Sequence, residues 1–194
     1  VRRVEAIISQ TELGVFYDKR KCLFRIGLNA KTERADGSCY DMLMSEARMT
    51  AYYAVAKHIV PKRHWQMLGR TLTHKNGYIG MMSWSGTAFE YLMPLLFLPL
   101  YRDSFIYESA AFAQSVQKSR QGVWGISESA FYSFDSEMHY QYKANGIRAL
   151  ALRRVSANEN IVSPYSTYLA LCINGRDAFK NLTELENKGM YGKY

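Results

Sequence analysis

The sequence predicts an all-α protein. Helical periodicity recurs along most of the chain, strands and helices do not alternate regularly, and loop or strand character concentrates in residues Val123 to Lys143. With 194 residues, of which 48% are hydrophobic, the chain can bury the core of one domain. We therefore expect a single helical segment with short loops and strands laid over one end of the helices.

The first half of the chain contains two predicted helices and one strand. Apolar residues have helical spacing from Arg3 to Gln10, and Cys22 to Leu28 resembles a short strand. The longest helix is expected from Asp41 to Ile59, because Ser38 and Asp41 fit a helix start and Pro61 ends the run.

The second half begins with a recognisable helix cap. Thr87 and Glu90 have the spacing of a capping box, and the helix that follows enters an apolar stretch that Pro94 and Pro99 kink or break. Further helices are expected over Ser104 to Gln121, Tyr165 to Ile173 and Asp177 to Lys188.

The positive charge of the chain does not indicate a nucleic-acid partner. The net charge is +8, but the basic residues are spread from Arg2 to Lys193, with only the short groups Lys19 to Lys21, Lys62 to Arg63 and Arg153 to Arg154. Binding to a polyanion needs clustered Lys and Arg. We therefore expect no nucleic-acid binding.

Cofactor, metal and membrane signals are also missing from the sequence. Cys22, Cys39 and Cys172 lack the C-x-x-C spacing, and no histidine has a metal-binding partner, so reduced thiols in a cytoplasmic environment are expected and neither a metal nor another cofactor. The apolar run from Tyr91 to Leu100 is about half the ~20 residues that cross a bilayer. No signal peptide precedes Val1, and the segment is expected to be soluble without membrane insertion.

Two glutamates are the candidate catalytic residues. Glu46 lies on the mostly apolar face of a predicted helix, and Glu128 lies in a predicted loop among small residues. Because an isolated carboxylate near apolar surface is costly, such residues suggest acid/base chemistry, here on a sugar. The alternatives are a salt-bridged or half-exposed helix residue at Glu46 and a solvated loop residue at Glu128. Glu90, by contrast, is explained as a helix cap.

Several motifs, in unbroken order over roughly residues 15 to 194, resemble one family. That family is the glycoamylase-like middle domain of cyclic β-1,2-glucan synthase. The motifs are Phe24 to Asn29, Tyr40 to Arg48, Ser83 to Thr87, Phe89 to Pro94 and Trp124 to Ala130, extended by Tyr140 to Tyr142 and Pro164-Tyr165. The sequence departs from the family pattern at Cys39, Asn145 and Ser163.

The resemblance implies part of an (α/α)6 barrel with a substrate groove across one end. Both ends of the chain look like cuts in a longer polypeptide, so the segment is expected to be incomplete at both ends. The other domains of a membrane-bound synthase, on the cytoplasmic side of the inner membrane, would then be its partners.

The resemblance also implies the reaction, which is transglycosylation that cyclises linear β-1,2-glucan. Glu46 would be the nucleophile of a retaining mechanism and Glu128 the acid/base, with carboxyl groups ~5 to 5.5 Å apart. Two alternatives stay open, an endo-hydrolase that cleaves β-1,2-glucan and a non-catalytic sugar-binding helical module.

Aromatic and polar residues of the same motifs are the candidate substrate contacts. Trp84 and Trp124 would stack on sugar rings, although core packing is the alternative for each. Ser85 would line the groove, although helix initiation explains it almost as well. Hydrogen bonds to glucose hydroxyl groups are assigned to Tyr140, Gln141, Tyr142 and Lys143.

Overall fold

The fold mixes helices with small sheets. The computed structural model describes residues 2–119, 122–130, 133–153 and 161–190. In this part of the chain, 41% of the residues are helical and 17% extended, with the strands in four small antiparallel sheets. The prediction of an all-α fold, part of an (α/α)6 barrel, is therefore wrong. Strands of two to four residues are too short to show a clear alternation of apolar and polar residues. The sequence pattern therefore did not reveal most of them.

The chain divides into two compact units. The first comprises Val1–Leu43 and Ala47–Gly69, and the second comprises Met44–Glu46 and Arg70–Tyr194. Gln121 and Arg154, which entered the sequence predictions, lie outside the described residues.

The first unit contains two helices that follow its strands and one that precedes them. Helix α1 (Arg2–Gln10) has the predicted bounds within one residue. The core of the first unit is formed by Phe24, Ala54 and Val60. The remaining elements are a 3-10 helix (Leu13–Phe16), a sheet of β1 (Tyr17–Asp18), β2 (Leu23–Arg25) and β5 (Cys39–Tyr40), a ribbon of β3 (Leu28–Asn29) and β4 (Arg34–Ala35), and helices α2 (Arg48–Ala56) and α3 (Arg63–Met67).

The helix predicted from Asp41 begins only at Arg48. Tyr40 instead pairs with Phe24 in the sheet, and the carbonyl of Asp41 accepts a hydrogen bond from the amide of Gly69 at 2.6 Å. These pairings between distant parts of the chain satisfy backbone groups that a helix would otherwise use. The local start signal at Ser38 to Asp41 was therefore misleading.

The second unit begins with a hairpin that the sequence analysis missed. Strands β6 (Leu72–Lys75) and β7 (Tyr78–Met81) are joined by Asn76 and Gly77, whose φ angles are +54° and +77°. Asn-Gly between two extended runs is a strong signal for this two-residue turn. A Cβ atom at Gly80 would lie 2.3 Å from the Phe112 ring, so the hairpin packs closely on the next long helix.

The helices of the second unit agree with the predictions to within a few residues. They are α4 (Ala88–Leu92), followed by a 3-10 helix (Met93–Leu96), then α5 (Phe105–Lys118), α6 (Pro164–Ala170) and α7 (Gly175–Asn187). Between α5 and α6 lie strands β8 (Glu128–Ala130) and β9 (Tyr142–Ala144) and a 3-10 helix (Arg148–Leu150). The expected loops and short strands of Val123 to Lys143 are thus present. Within the described residues, no helix has both the length and the apolar character needed to span a membrane.

Candidate active site

Glu128 opens a two-stranded antiparallel ribbon. In this ribbon Glu128 pairs with Ala144, and Ala130 pairs with Tyr142. Side chains two apart on a strand share one face, so Tyr142 is the diagonal neighbour of Glu128 on the same face. Glu128 is half-buried, which leaves its carboxylate reachable.

The side chain of Tyr142 holds the carboxylate of Glu128. The Tyr142 hydroxyl donates a hydrogen bond to Oε2 of Glu128. This hydrogen bond, followed by burial and by the charge of Glu128, raises the pKa of Tyr142 well above its usual value. The phenol therefore stays protonated and remains a hydrogen-bond donor to Glu128.

The backbone of Glu128 is held from the start of α6. Its carbonyl accepts hydrogen bonds from the Tyr165 hydroxyl at 2.9 Å and from the Ser163 hydroxyl at 3.2 Å. The Tyr165 oxygen also lies 2.9 Å from Oγ of Ser127, which accepts the amide of Phe89. Burial raises the pKa of Tyr165, so it too stays protonated. Glu128 is therefore fixed by α4 and α6 as well as by its own ribbon.

Trp124 lies in the core and connects this region to α7. Its side chain is only 7% exposed, in agreement with the packing alternative, and its backbone exchanges two hydrogen bonds with the amide of Asn181, at 3.0 and 2.8 Å. Gly125 has a φ angle of +125°, and a Cβ atom there would lie 2.6 Å from Oγ of Ser166. The Trp-Gly pair thus positions the following strand, and sugar stacking on Trp124 stays a prediction.

Glu46 lies in a turn before α2, not on a helix as expected. It is half-buried, and its Oε2 accepts a hydrogen bond from the hydroxyl of Ser45 at 3.2 Å. Met44–Glu46 belong to the same compact unit as Glu128. No hydrogen bond joins the two carboxylates among the described residues, and the predicted separation of ~5 to 5.5 Å for a retaining pair stays a prediction.

The segment of Trp84 and Ser85 wraps a different carboxylate, Glu90. Oε2 of Glu90 accepts the hydroxyl of Ser83 at 2.8 Å and both the amide and the hydroxyl of Thr87, and Oε1 accepts the amide of Ser85 at 3.1 Å. The predicted capping box at Thr87 and Glu90 is confirmed. The Ser85 amide therefore has a structural role. The Trp84 side chain is 45% exposed, and its stacking on a sugar ring stays a prediction.

The remaining candidate contacts lie on or beside β9. Tyr140 and Lys143 are exposed, and Nε2 of Gln141 donates to the carboxylate of Asp135 at 3.0 Å. The same carboxylate accepts the amide of His139 at 2.8 Å, which shapes the loop before the strand. Tyr140 and Lys143 thus have the exposure that sugar contacts need.

Sequence reasoning missed the supports of Glu128. It assigned Tyr142 to substrate, which stays a prediction, without recognising that its hydroxyl donates to Glu128. It gave no role to Tyr165 or Ser163. Pro164-Tyr165 was part of the family match, so that motif was the available signal. Among the described residues, no group of three or more His, Cys, Asp or Glu side chains could hold a metal ion.

A carboxylate fixed on an accessible ribbon, with tyrosine and serine side chains around it, is a candidate acid/base site of the kind that enzymes of polysaccharide metabolism use. Over 196 residues, 99% of this chain, the sequence is 33% identical to the cyclic beta-(1,2)-glucan synthase NdvB of Rhizobium meliloti (strain 1021). The chain spans about 7% of the length of that synthase. No family model matches the chain.

The chain is thus related to this cyclic glucan synthase, as the sequence motifs predicted. The match covers nearly the whole chain but does not assign it to a particular domain of the synthase.

Proposed function

We propose that this chain belongs to an enzyme domain that acts on linear β-1,2-glucan and cyclises it by transglycosylation. The relation to a cyclic β-(1,2)-glucan synthase supports the substrate class. The observation that carries the proposal is the carboxylate of Glu128, held from one side by the Tyr142 hydroxyl and left accessible on the other. No cofactor is needed, since one glycosidic bond breaks and an equivalent one forms.

The proposed reaction has two displacements. A carboxylate attacks the anomeric carbon while the glycosidic C–O bond breaks, and a second carboxyl group gives its proton to the leaving oxygen. A hydroxyl group from the other end of the same glucan then attacks the glycosyl-enzyme bond and returns a proton to the second carboxylate. The first carboxylate is released, and the ring is closed.

The contact with Tyr142 supports a particular division of roles. Family resemblance implies that Glu46 attacks and Glu128 donates the proton. The hydroxyl that donates to Glu128 occupies and orients one carboxylate oxygen, so the other oxygen is held in position to attack an anomeric carbon. We therefore assign the attack to Glu128 and proton transfer to Glu46, the reverse of the order that the resemblance implies.

Product analysis tests the reaction. The full-length polypeptide is incubated with linear β-1,2-glucan, and the products are separated by mass. Cyclic products, lighter than the linear glucan of equal length by one water, are expected. Shorter chains with new reducing ends, and no rings, would instead establish the endo-hydrolase alternative. Glucan that binds but is not converted would establish the alternative of a non-catalytic sugar-binding module.

Azide distinguishes the two roles. With an activated aryl glycoside of a β-1,2-linked glucose disaccharide, the Glu128→Ala variant should form an α-glycosyl azide, because azide replaces the nucleophile and inverts the centre. The Glu46→Ala variant should form the β-glycosyl azide through the intact covalent intermediate. A β-glycosyl azide from Glu128→Ala and an α-glycosyl azide from Glu46→Ala would instead assign the attack to Glu46, as the resemblance implies.

A further inference from the structure

The second unit contains a groove that shares no residue with the candidate active site. It is lined by β7, by one face of α5 and by the start of α7, and its cavity volume is about 310 Å³. Ligand pockets typically begin near this volume, roughly 300 Å³. The groove is therefore large enough to bind a small molecule or a short segment of a polymer.

A buried amide in this groove has an unused acceptor. Gln114 is only 3% exposed, and its Nε2 donates to the carbonyl of Asn174 at 3.4 Å. Its Oε1 has no hydrogen-bond partner among the described residues. Because a buried acceptor without a donor is costly, a ligand that brings a hydroxyl or N–H donor would be stabilised here.

Aromatic side chains line the mouth of the groove. Tyr78 on β7 is 61% exposed, and Tyr107 on α5 is half-buried. An exposed tyrosine offers a flat apolar face together with a polar hydroxyl. This combination suits a ring that carries C–H groups on its face and hydroxyl groups at its edge.

The charges of the groove disfavour anions. The ammonium of Lys118 is paired with the carboxylate of Asp177, which also accepts the Nδ2 group of Asn174 at 2.8 Å. Glu108 adds an exposed carboxylate to the lining, so negative charge is in excess. A phosphate or a nucleotide sugar would therefore be repelled, while a neutral ligand would not.

We propose that this groove is a second saccharide site, which binds a neutral glucan segment through residues other than those that react. The identity of the saccharide as β-1,2-glucan rests on the proposed function. A long chain held at both places would have its free end kept near the reacting end, which raises the effective concentration of the acceptor hydroxyl for ring closure.

Site-resolved binding tests the proposal. Linear β-1,2-glucan is titrated into the protein carrying Glu128→Gln, which prevents turnover, and backbone amide resonances of α5 report on the groove. Tyr78→Ala should weaken binding at these resonances about tenfold, since an aromatic contact of this kind is worth up to about one order of magnitude. Tyr101→Ala, which removes another exposed tyrosine outside the groove, is the matched control and should leave it unchanged.

Two further variants separate the contributions. Tyr78→Phe keeps the ring and should bind nearly as well as the parent protein. Gln114→Met keeps the volume but removes the buried acceptor, and it should weaken binding while the thermal unfolding curve shows that the fold is retained. Equal dissociation constants for the Tyr78→Ala and Tyr101→Ala variants would overturn the proposal, as would binding of UDP-glucose or inorganic phosphate at the groove.

Failure of the groove proposal and failure of the proposed function would give different experimental results. With Glu128 intact, Tyr78→Ala should raise KM for long glucans and lower the rate at which they are closed into rings. If glucan binds at α5 but the protein turns over none, the saccharide site in the groove is supported and the proposed function is wrong. If glucan is turned over but the α5 resonances do not respond, the groove inference fails alone.

Discussion

Glu90 and Glu128 are two carboxylates of the same unit in contrasting surroundings. Glu90 is 5% exposed and accepts hydrogen bonds from three nearby residues, all within seven positions along the chain. Glu128 is half-buried, and the described donor to its carboxylate is Tyr142, 14 positions away. A carboxylate whose oxygens accept hydrogen bonds from its own turn has a structural role. A carboxylate held by one donor keeps an oxygen that can take part in a reaction.

The largest effect is expected at Glu128. Glu128→Gln should lower kcat by at least about 1000-fold, because the amide cannot attack the anomeric carbon, whereas the acceptor for Tyr142 is retained. Turnover of linear β-1,2-glucan measures this loss, and thermal unfolding should be unchanged. Full activity in this variant would remove Glu128 from the mechanism. Glu46→Gln is expected to lose activity to a similar degree.

Glu90 should show the opposite pattern. Glu90→Ala leaves the amides of Ser85 and Thr87 without an acceptor and is expected to lower the free energy of unfolding by about 2 to 4 kcal/mol. Urea denaturation measures this change. Glu186→Ala, at an exposed position of α7, is the control and should change stability by less than about 0.5 kcal/mol. A Glu90→Ala variant that is as stable as the wild type but inactive would show that Glu90 serves the reaction and not the fold.

A smaller effect is expected at Tyr142. Tyr142→Phe removes the hydroxyl that donates to Glu128 and should lower kcat about tenfold, a typical loss for one hydrogen bond to a charged group. An unchanged kcat, measured on linear β-1,2-glucan, would show that this hydrogen bond does not position Glu128 for the reaction.

The smallest effect is a pH dependence of stability at Glu90. Burial raises the pKa of Glu90 above its ordinary value of 4.5, although its hydrogen-bond donors oppose this shift. The folded protein therefore binds this proton more tightly than the unfolded chain. The resulting stabilisation is fully present below pH 4.5 and is lost as the pH rises through the raised pKa.

Comparison with the Glu90→Gln variant isolates this contribution. The unfolding free energy of the wild type minus that of the variant should fall as the pH rises across this window. Urea titrations of both proteins at several pH values measure the difference. A difference that does not depend on pH would show that burial and hydrogen bonding cancel at Glu90.

The sequence predicted features that are set by neighbouring residues. The capping box of Thr87 and Glu90 and the long helix after Ser104 were recognised because their signals lie within a few positions. The Asn76-Gly77 hairpin could have been recognised in the same way. The all-α prediction failed because most strands have only two to four residues, which is too short for an alternating pattern to stand out from the helical periodicity around them.

A different limit applies to the site. The sequence placed Glu128 in the right kind of segment, but its contact with Tyr142 depends on the register that pairs Ala130 with Tyr142. The contact with Tyr165 spans 37 positions. Neither partner could be assigned without the fold, because residue spacing alone does not determine which side chains meet.

The hydrogen bonds between Trp124 and Asn181 join residues that are 57 positions apart. During synthesis from the N-terminus, the ribosome must therefore release α7 before this anchor can close. Until then, the segment that carries Glu128 has its hydrogen bonds to α4 and α5 but lacks its attachment to α7. A nascent chain stalled before Asn181 should consequently be cut by a protease near Trp124, and one extended beyond α7 should resist.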